Sequence, residues 1–415
     1  VPERRVSNLR DLLVVAGGTT LANAAAYGLS IASARILAPA EFGALGALLG
    51  VSIIVSTFAI GCQTLAARRV AAGVALGRTD VVMRAGAWAA GALLILAAPS
   101  MAAAPVLGVP SAAMLAVVAS VAVSVLGFTA IGVLQGRRLH TRFGGTYAAL
   151  GILRATGTVV AVAVEPTATS AGLGMLVGSA AGSAVALAVA RERVPLGLPG
   201  PNVLRELWRN SASLLGLYLL VNMDVVLART FLEPADSGAY AVGSLVAKVA
   251  FFLPGFISYV LFPRMAAAST PRLRTANVLA TVAVGAGATA ACAVLAPWVV
   301  QVAAGPGYEA IVPLIWVFAL QGSLFATLQA LLFLRLSDPG SGADWRLWVG
   351  AAGVVGVVAV VHGSIAAIVL SGVSVSVALT LWVSVVELRR TPTPTRPCVD
   401  DEGRRAVAPG DGALS

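Results

Sequence analysis

"LLVNMDVVLARTFLEPADSGAY", residues 219–240, places one carboxylate, Asp224, in the middle of an apolar run and then closes on Arg, Pro, acid and Gly. A looser version stands near the N-terminus as "ARILAPAEFGAL", residues 34–45. Pro39, Glu41, Gly43 and Ala44 map onto Pro234, Asp236, Gly238 and Ala239 at a constant offset of 195. The same offset carries "RVAA" at 69–72 onto "RMAA" at 264–267, and Arg35 matches Arg229 after a one-residue insertion. The chain therefore reads as one structural unit written twice, and the question becomes what that unit is.

Composition answers it. Of 415 residues, 58% are hydrophobic and 11% charged, too few charges to cover a water-soluble surface of this size. Apolar runs long enough to cross a hydrocarbon core of about 30 Å as helices recur along the chain. Twelve are counted, near 11–33, 42–62, 80–99, 112–134, 146–164, 171–190, 212–232, 238–262, 276–300, 308–334, 346–362 and 364–386. The runs are unbroken and rich in Ala, Leu and Val rather than alternating, which favours helices over a barrel. The expected fold is all-α and polytopic, with residues 1–190 and 212–388 as two pseudo-symmetric six-helix lobes. Six spans per unit, an even number, send both units into the membrane in the same direction. The lobes should then be related by an axis along the membrane normal, with a pathway between them.

The net charge of +10 is topological rather than a nucleic-acid footprint. With the N-terminus inside, 24 of the 28 basic residues fall in cytoplasmic loops and tails, and only Arg35 and Arg229 fall in outside loops. That asymmetry places both termini in the cytoplasm. The segment 191–211, with Pro195, Pro199, Gly200 and Pro201 breaking it, reads as a cytoplasmic linker. Its Leu204, Leu207 and Trp208 share a helix face expected to lie on the headgroups. The tail 389–415 lacks apolar periodicity and is expected to be disordered.

Signals of soluble enzymes are missing: there is no phosphate loop and no HExxH, and the three cysteines make no metal spacing. The expectation is a non-enzyme without cofactor or metal. Gly174, Gly178 and Gly182 share one helix face and predict close packing against a neighbouring helix, while Pro254–Gly255 and Pro297 predict kinks.

The charges left inside spans are Arg154, Asp224 and Lys248. At roughly 1.5 Å per residue, Asp224 lies about 12 Å from the outer end of its helix, and Arg154 and Lys248 about 15 Å from theirs. Each costs roughly 2.5–3.5 kcal/mol at mid-span on an insertion scale, so all three should face protein or water. Asp224 and Lys248, on helices joined by a tight hairpin, are expected to form an ion pair. Arg154 has no acid in its own half, which leaves Asp224 across the interface as its one intramembrane candidate. Together with Asn222 these residues are the expected cavity set. The repeat-motif residues Arg35, Pro39, Glu41, Gly43, Arg229, Pro234, Asp236 and Gly238 form the outer loops.

With these residues in place, the sequence resembles the polysaccharide transporter branch of the multidrug/oligosaccharidyl-lipid/polysaccharide (MOP) flippase superfamily. "ARILAPAEFGALGALL" is similar to that branch's segment between the first two spans. "NMDVVLARTFLEPADSGAYAVGSLVAKVAFFLPGFISYVLFPRMAA" is similar to its seventh and eighth spans, with the family's Asp at Asp224, and "LQGRRLHTRFGG" to its entry into the fifth. The resemblance implies a V-shaped two-lobed bundle in the bacterial cytoplasmic membrane that flips a lipid-linked oligosaccharide by alternating access. It implies membrane lipids and other polysaccharide-assembly proteins as further partners. Two other readings stay open: a cation-coupled multidrug exporter, and a non-transporting scaffold for glycan assembly. The exporter needs intramembrane carboxylates to hold its cations, and the first half has none.

Overall fold

The structure, a computed structural model, describes residues 2–73, 79–195, 197–254, 271–336 and 345–388. The 264–267 arm of the repeat match, Gly255 and the tail 389–415 lie outside the described residues. Everything regular among the described residues is helical. Hydrocarbon offers no hydrogen-bond partner, so each apolar run must satisfy its backbone within itself.

The first half contains α1 (Pro2–Ile36), α2 (Pro39–Val55), α3 (Thr57–Ala71), α4 (Asp80–Ala103), α5 (Ser111–Gly136), α6 (His140–Val164) and α7 (Ala168–Ala190). The second contains α8 (Pro201–Phe231), α9 (Pro234–Phe252), α10 (Pro271–Val294), α11 (Ala296–Ala303), α12 (Ile315–Leu336), α13 (Trp345–Val360) and α14 (Ile365–Leu388), with a 3-10 turn at Glu309–Leu314. Among the described residues, nine segments are long and apolar enough to cross a membrane, with α2 and α3 counted as one. With α1, α9 and α13 the bundle has about twelve crossings.

The packing pattern repeats from one half to the other. In the first, α5 is the central helix, packed on α3, α4 and α7, while α6 joins α1 to α7. In the second, α12 is central, packed on α9, α10 and α14, while α13 joins α8 to α14. The repeated element is thus a six-span bundle whose fourth span is its core. The halves meet where α2 packs on α8 and α9 and where α3 packs on α8.

At that seam the repeat touches itself. A Cβ built on Gly238 would stand 2.0 Å from the Pro39 carbonyl oxygen, and one on Gly43 would stand 2.7 Å from the Gly238 nitrogen. Both positions need glycine because backbone meets backbone there. Gly46 faces Ala241, its own counterpart at the 195-residue offset. Equivalent positions in mutual contact are the mark of a twofold relation.

Three local readings gain detail, one of them as a correction. The run 42–62 lies within the single apolar segment Pro39–Ala71, which carries a one-residue interruption at Ser56, between α2 and α3. Ser56 Oγ donates to the Ser52 carbonyl at 2.6 Å and Thr57 Oγ1 to the Ile54 carbonyl at 2.8 Å, and such back-bonding hydroxyls bend helices. Pro297 does not kink a continuous span; it stands in the first turn of the separate α11, where its missing N–H costs nothing. The linker helix that opens at Pro201 packs against the first half. It runs without a break into α8, and its Val203 and Leu207 are buried in the cluster that α3 contributes to. Glu206 meets Arg69 of α3 at 2.8 Å. Trp208 is left exposed beside Phe58. Of the face named from sequence, Leu207 is buried in one cluster with Ala59, Cys62 and Leu65 of α3, while Leu204 is only partly covered.

Candidate functional site

Asp224 is 2% exposed, inside the core of the second half. Its Oδ2 accepts from the Tyr240 hydroxyl at 2.9 Å and from Gln321 Nε2 at 3.1 Å, and its Oδ1 accepts from the Val225 amide at 2.8 Å. Tyr240 and Gln321 are themselves fully buried, on α9 and α12. Three donors to one carboxylate answer the cost of placing it among Leu, Val and Met.

The expected Asp224–Lys248 ion pair is therefore not a contact. No Lys248–carboxylate approach within 4 Å occurs among the described residues; Lys248 acts on Asp224 only through space. Tyr240 and Gln321 occupy the lone pairs that an ammonium would have used. Asn222 is buried as well, but two positions along a helix point to different faces. Its Nδ2 donates to the Tyr218 carbonyl at 2.9 Å, and its Oδ1 has no partner among the described residues, as is also true of Gln321 Oε1.

Arg154 is held within the first half. Its Nη2 donates to Ser52 Oγ at 2.5 Å, on α2 one turn before the Ser56 break, and lies 3.2 Å from the Met175 sulfur on α7. No carboxylate pairs with it, and Nε and Nη1 have no side-chain or carbonyl partner among the described residues. The glycine stripe predicted on α7 sets this position: a Cβ at Gly178 would stand 2.3 Å from the Leu153 carbonyl oxygen and 2.8 Å from Arg154 Cα. The structure does not bring Arg154 to Asp224. Ser52 turns one side of α2 to Arg154, while Gly50 turns the other to Val225 and Val226 of α8. The wall between the two charges is α2.

The repeat-motif residues gather at one end of the bundle. Pro39 and Pro234 open α2 and α9 in their first turns. Glu41 accepts from the Ala168 amide at 2.7 Å, capping α7, whereas its counterpart Asp236 is exposed. Arg229 reaches into the first half: its Nε and Nη2 donate to the Gly108 carbonyl at 3.0 and 2.8 Å, and its Nη1 to the Ala40 carbonyl at 3.0 Å. Nη1 also donates to Ser237 Oγ at 2.9 Å and lies 3.4 Å from the Pro234 carbonyl, and Glu41 adds an opposite charge nearby. Arg35 reaches the other way, with its Nη2 donating to the Gln301 and Val302 carbonyls at 3.2 and 2.8 Å.

Sequence reasoning missed Tyr240, Gln321, Ser52 and the carbonyls that receive the two arginines. Gln321 was legible in principle as an amide inside an apolar run, and Ser52 as a hydroxyl on the helix that carries the repeat. Among the described residues, no group of three or more His, Cys, Asp or Glu side chains comes together to hold a metal.

No protein-family model matches the chain, and no curated protein matches it in sequence. Solved structures do. An inward-facing multidrug resistance MATE family transporter of the MOP superfamily superposes with a TM-score of 0.61 at 13% identity, over 88% of this chain and 96% of that one. An outward-facing conformation of such a transporter gives 0.55 at 14%, over 92% and 95%. A MATE in complex with MaD5 gives 0.52 at 15%, over 91% and 93%. At these identities the likeness is one of fold, and the fold is that of the MATE/MOP transporters over nearly the whole chain.

Proposed function

We propose that this protein is an alternating-access transporter of the bacterial cytoplasmic membrane that flips an anionic lipid-linked glycan, with both termini inside. Residues 1–190 and 212–388 are its two moving lobes. The fold, the repeated packing and the self-contact of Gly43 with Gly238 support two bodies that rock about a shared seam. The observation that carries the substrate class is Arg154: a guanidinium inside a span, held by a hydroxyl and a thioether, with no carboxylate to neutralise it. Lys248 adds a second intramembrane cation, and the single acid, Asp224, is already taken by three donors. A site with surplus positive charge suits a pyrophosphate, whose oxygens a guanidinium can bind two at a time. A cationic drug would be repelled.

The multidrug reading keeps one observation in its favour, the buried Asp224, a group a cation-coupled exporter requires. Reconstituted vesicles with a fluorescent pyrophosphate-linked lipid sugar in one series and a cationic dye in another separate the two. Arg154→Gln should insert normally, lose lipid-sugar movement by about tenfold or more, the effect of removing one or two charge-assisted hydrogen bonds, and leave dye flux unchanged. Arg154→Lys should recover only part, since a point charge lacks the fork. Full lipid-sugar movement by Arg154→Gln, or transport of the dye alone by the wild type, would refute the proposal.

A further inference from the structure

Only two basic residues fall in loops that the charge distribution assigns to the outside, Arg35 and Arg229, and they are counterparts in the repeat. Each stands in the last turn of the first helix of its half, α1 or α8. Each leaves its own half to hydrogen-bond backbone carbonyls of the other. The receiving segments correspond as well. Gly108 lies between the third and fourth spans of the first half, and Gln301 and Val302 lie between the third and fourth of the second. Each segment carries a left-handed glycine, Gly108 at φ +60° and Gly305 at φ +82°. Gln301 and Val302 stand in the last turn of α11, where a cation is favourable, although the Gln301 carbonyl also accepts from the Gly305 amide at 3.1 Å. Gly108 closes the turn that follows α4, and its carbonyl is met by two nitrogens of the Arg229 guanidinium.

From this reciprocity we infer that Arg35 and Arg229 are the two bolts of an extracytoplasmic latch, which holds the outer ends of the lobes together and must release before the transporter opens outward. The inference rests on the alternating-access reading above. A crossed pair of this kind suits a gate for a physical reason. Its acceptors across the seam are all backbone oxygens at the rim, where water can replace them once the lobes part, so release leaves no carboxylate unpaired. Either bolt alone also leaves one lobe free to pivot about the other bolt. The two are unequal. Arg229 joins Gly108 and Ala40 of the first half to Ser237 of the second through three nitrogens, while Arg35 is exposed and uses one. Arg229 is the stronger bolt and Arg35 the weaker. The Tyr308 hydroxyl, donating to the Ala34 carbonyl at 3.3 Å, sits beside Arg35 and adds a neutral tie on the weaker side.

The test is conformational and needs no substrate. In full-length protein with the native cysteines replaced, spin labels at Val164→Cys and Val360→Cys report the outer separation of the halves, and Leu139→Cys with Val385→Cys the inner one. All four positions are exposed. By pulsed electron spin resonance in lipid nanodiscs, Arg229→Gln should raise the outer-open population about tenfold, as expected for losing several charge-assisted hydrogen bonds. Arg35→Gln should raise it about threefold, and the inner pair should shorten in both. Arg229→Lys should fall between, since one ammonium cannot hold Gly108 and Ala40 together. Arg35→Gln, at an exposed site with two contacts, keeps the test decisive should Arg229→Gln fold poorly. Outer distances unchanged in Arg35→Gln and Arg229→Lys would overturn the latch. So would outer and inner pairs lengthening together, which marks a clasp that only stabilises the bundle. A wild type that never shows a second distance at either end would overturn the transport reading along with it, whereas inner distances that switch while outer ones ignore the substitutions sink the latch alone.

Discussion

Replacing Asp224 distinguishes its two possible supports, Lys248 and the hydroxyl–amide pair of Tyr240 and Gln321. Were the carboxylate held by Lys248, any neutral residue would strand a buried ammonium at a cost of about 3–5 kcal/mol, and Asn and Leu would be equally harmful. The observed geometry gives a different order. In Asp224→Asn the side-chain carbonyl still accepts from Tyr240, 2.9 Å away in the wild type, and the new amide can donate to Gln321 Oε1, a buried acceptor without a partner among the described residues. The loss should be about 1 kcal/mol or less, the net worth of one hydrogen bond. In Asp224→Leu both the Tyr240 hydroxyl and the Gln321 amide lose their acceptor in a site with no solvent, at about 1–3 kcal/mol each and so about 2–6 kcal/mol together. Adding Tyr240→Phe and Gln321→Leu to Asp224→Leu should recover most of that, because an all-apolar site strands nothing. Equilibrium unfolding in mixed micelles, followed by helicity, reads all of these variants. An Asn variant as unstable as the Leu variant would show that the ammonium, not the hydroxyl and the amide, holds Asp224.

Two further outcomes follow from packing and from surface charge. Gly178→Val should force α7 away from α6 at Leu153 and Arg154, lower stability by about 1–3 kcal/mol as overpacking does, and lower the thermal midpoint in detergent, whereas Gly356→Ala, with open space around it, should not. Glu206→Gln removes the partner of Arg69, but both side chains are about a quarter exposed, so the cost should stay below about 1 kcal/mol and shrink further in high salt.

The fold was legible because its causes are local. Twenty-residue apolar runs specify helices by solvent alone, and the 195-residue offset specifies that the unit occurs twice. Gly174, Gly178 and Gly182 were read as a packing face, and α6 lies on them. The breaks were harder. Ser56 looks like any hydroxyl in a span, and its bond back to the Ser52 carbonyl is one that Ser124 and Thr129 also make in the unbroken α5. Sequence cannot say how much of the linker's apolar face α3 will cover: it covers Leu207 and leaves Trp208 exposed. The site failed in a different way. Counting charges alone matches Asp224 with Lys248. Neutral donors were left out, though Tyr240 closes the very stretch that contains Asp224. In a medium without water, a hydroxyl or an amide satisfies a carboxylate without bringing in a second ion that must itself be desolvated.

The same logic gives α2 its part in the molecule. One face of this helix is built from Gly43, Gly46 and Gly50 and meets α8 and α9 at backbone distance. The other carries Ala44, Ala47 and Leu48 into the core of the first half, with Ser52 under Arg154. The helix packs tightly on both sides, and its interruption at Ser56 comes one turn past Ser52, with the Ser56 amide still bonded to the Ser52 carbonyl at 2.9 Å. The Arg154–Ser52 hydrogen bond therefore ties the unpaired cation of the first half to a helix that packs on both halves, beside that helix's interruption. Under the proposed reading, an anion drawing Arg154 off Ser52 would act one turn from the boundary between α2 and α3. A movement there would be passed along the glycine face to the outer seam, where Gly43 meets Gly238 and Arg229 crosses to Gly108.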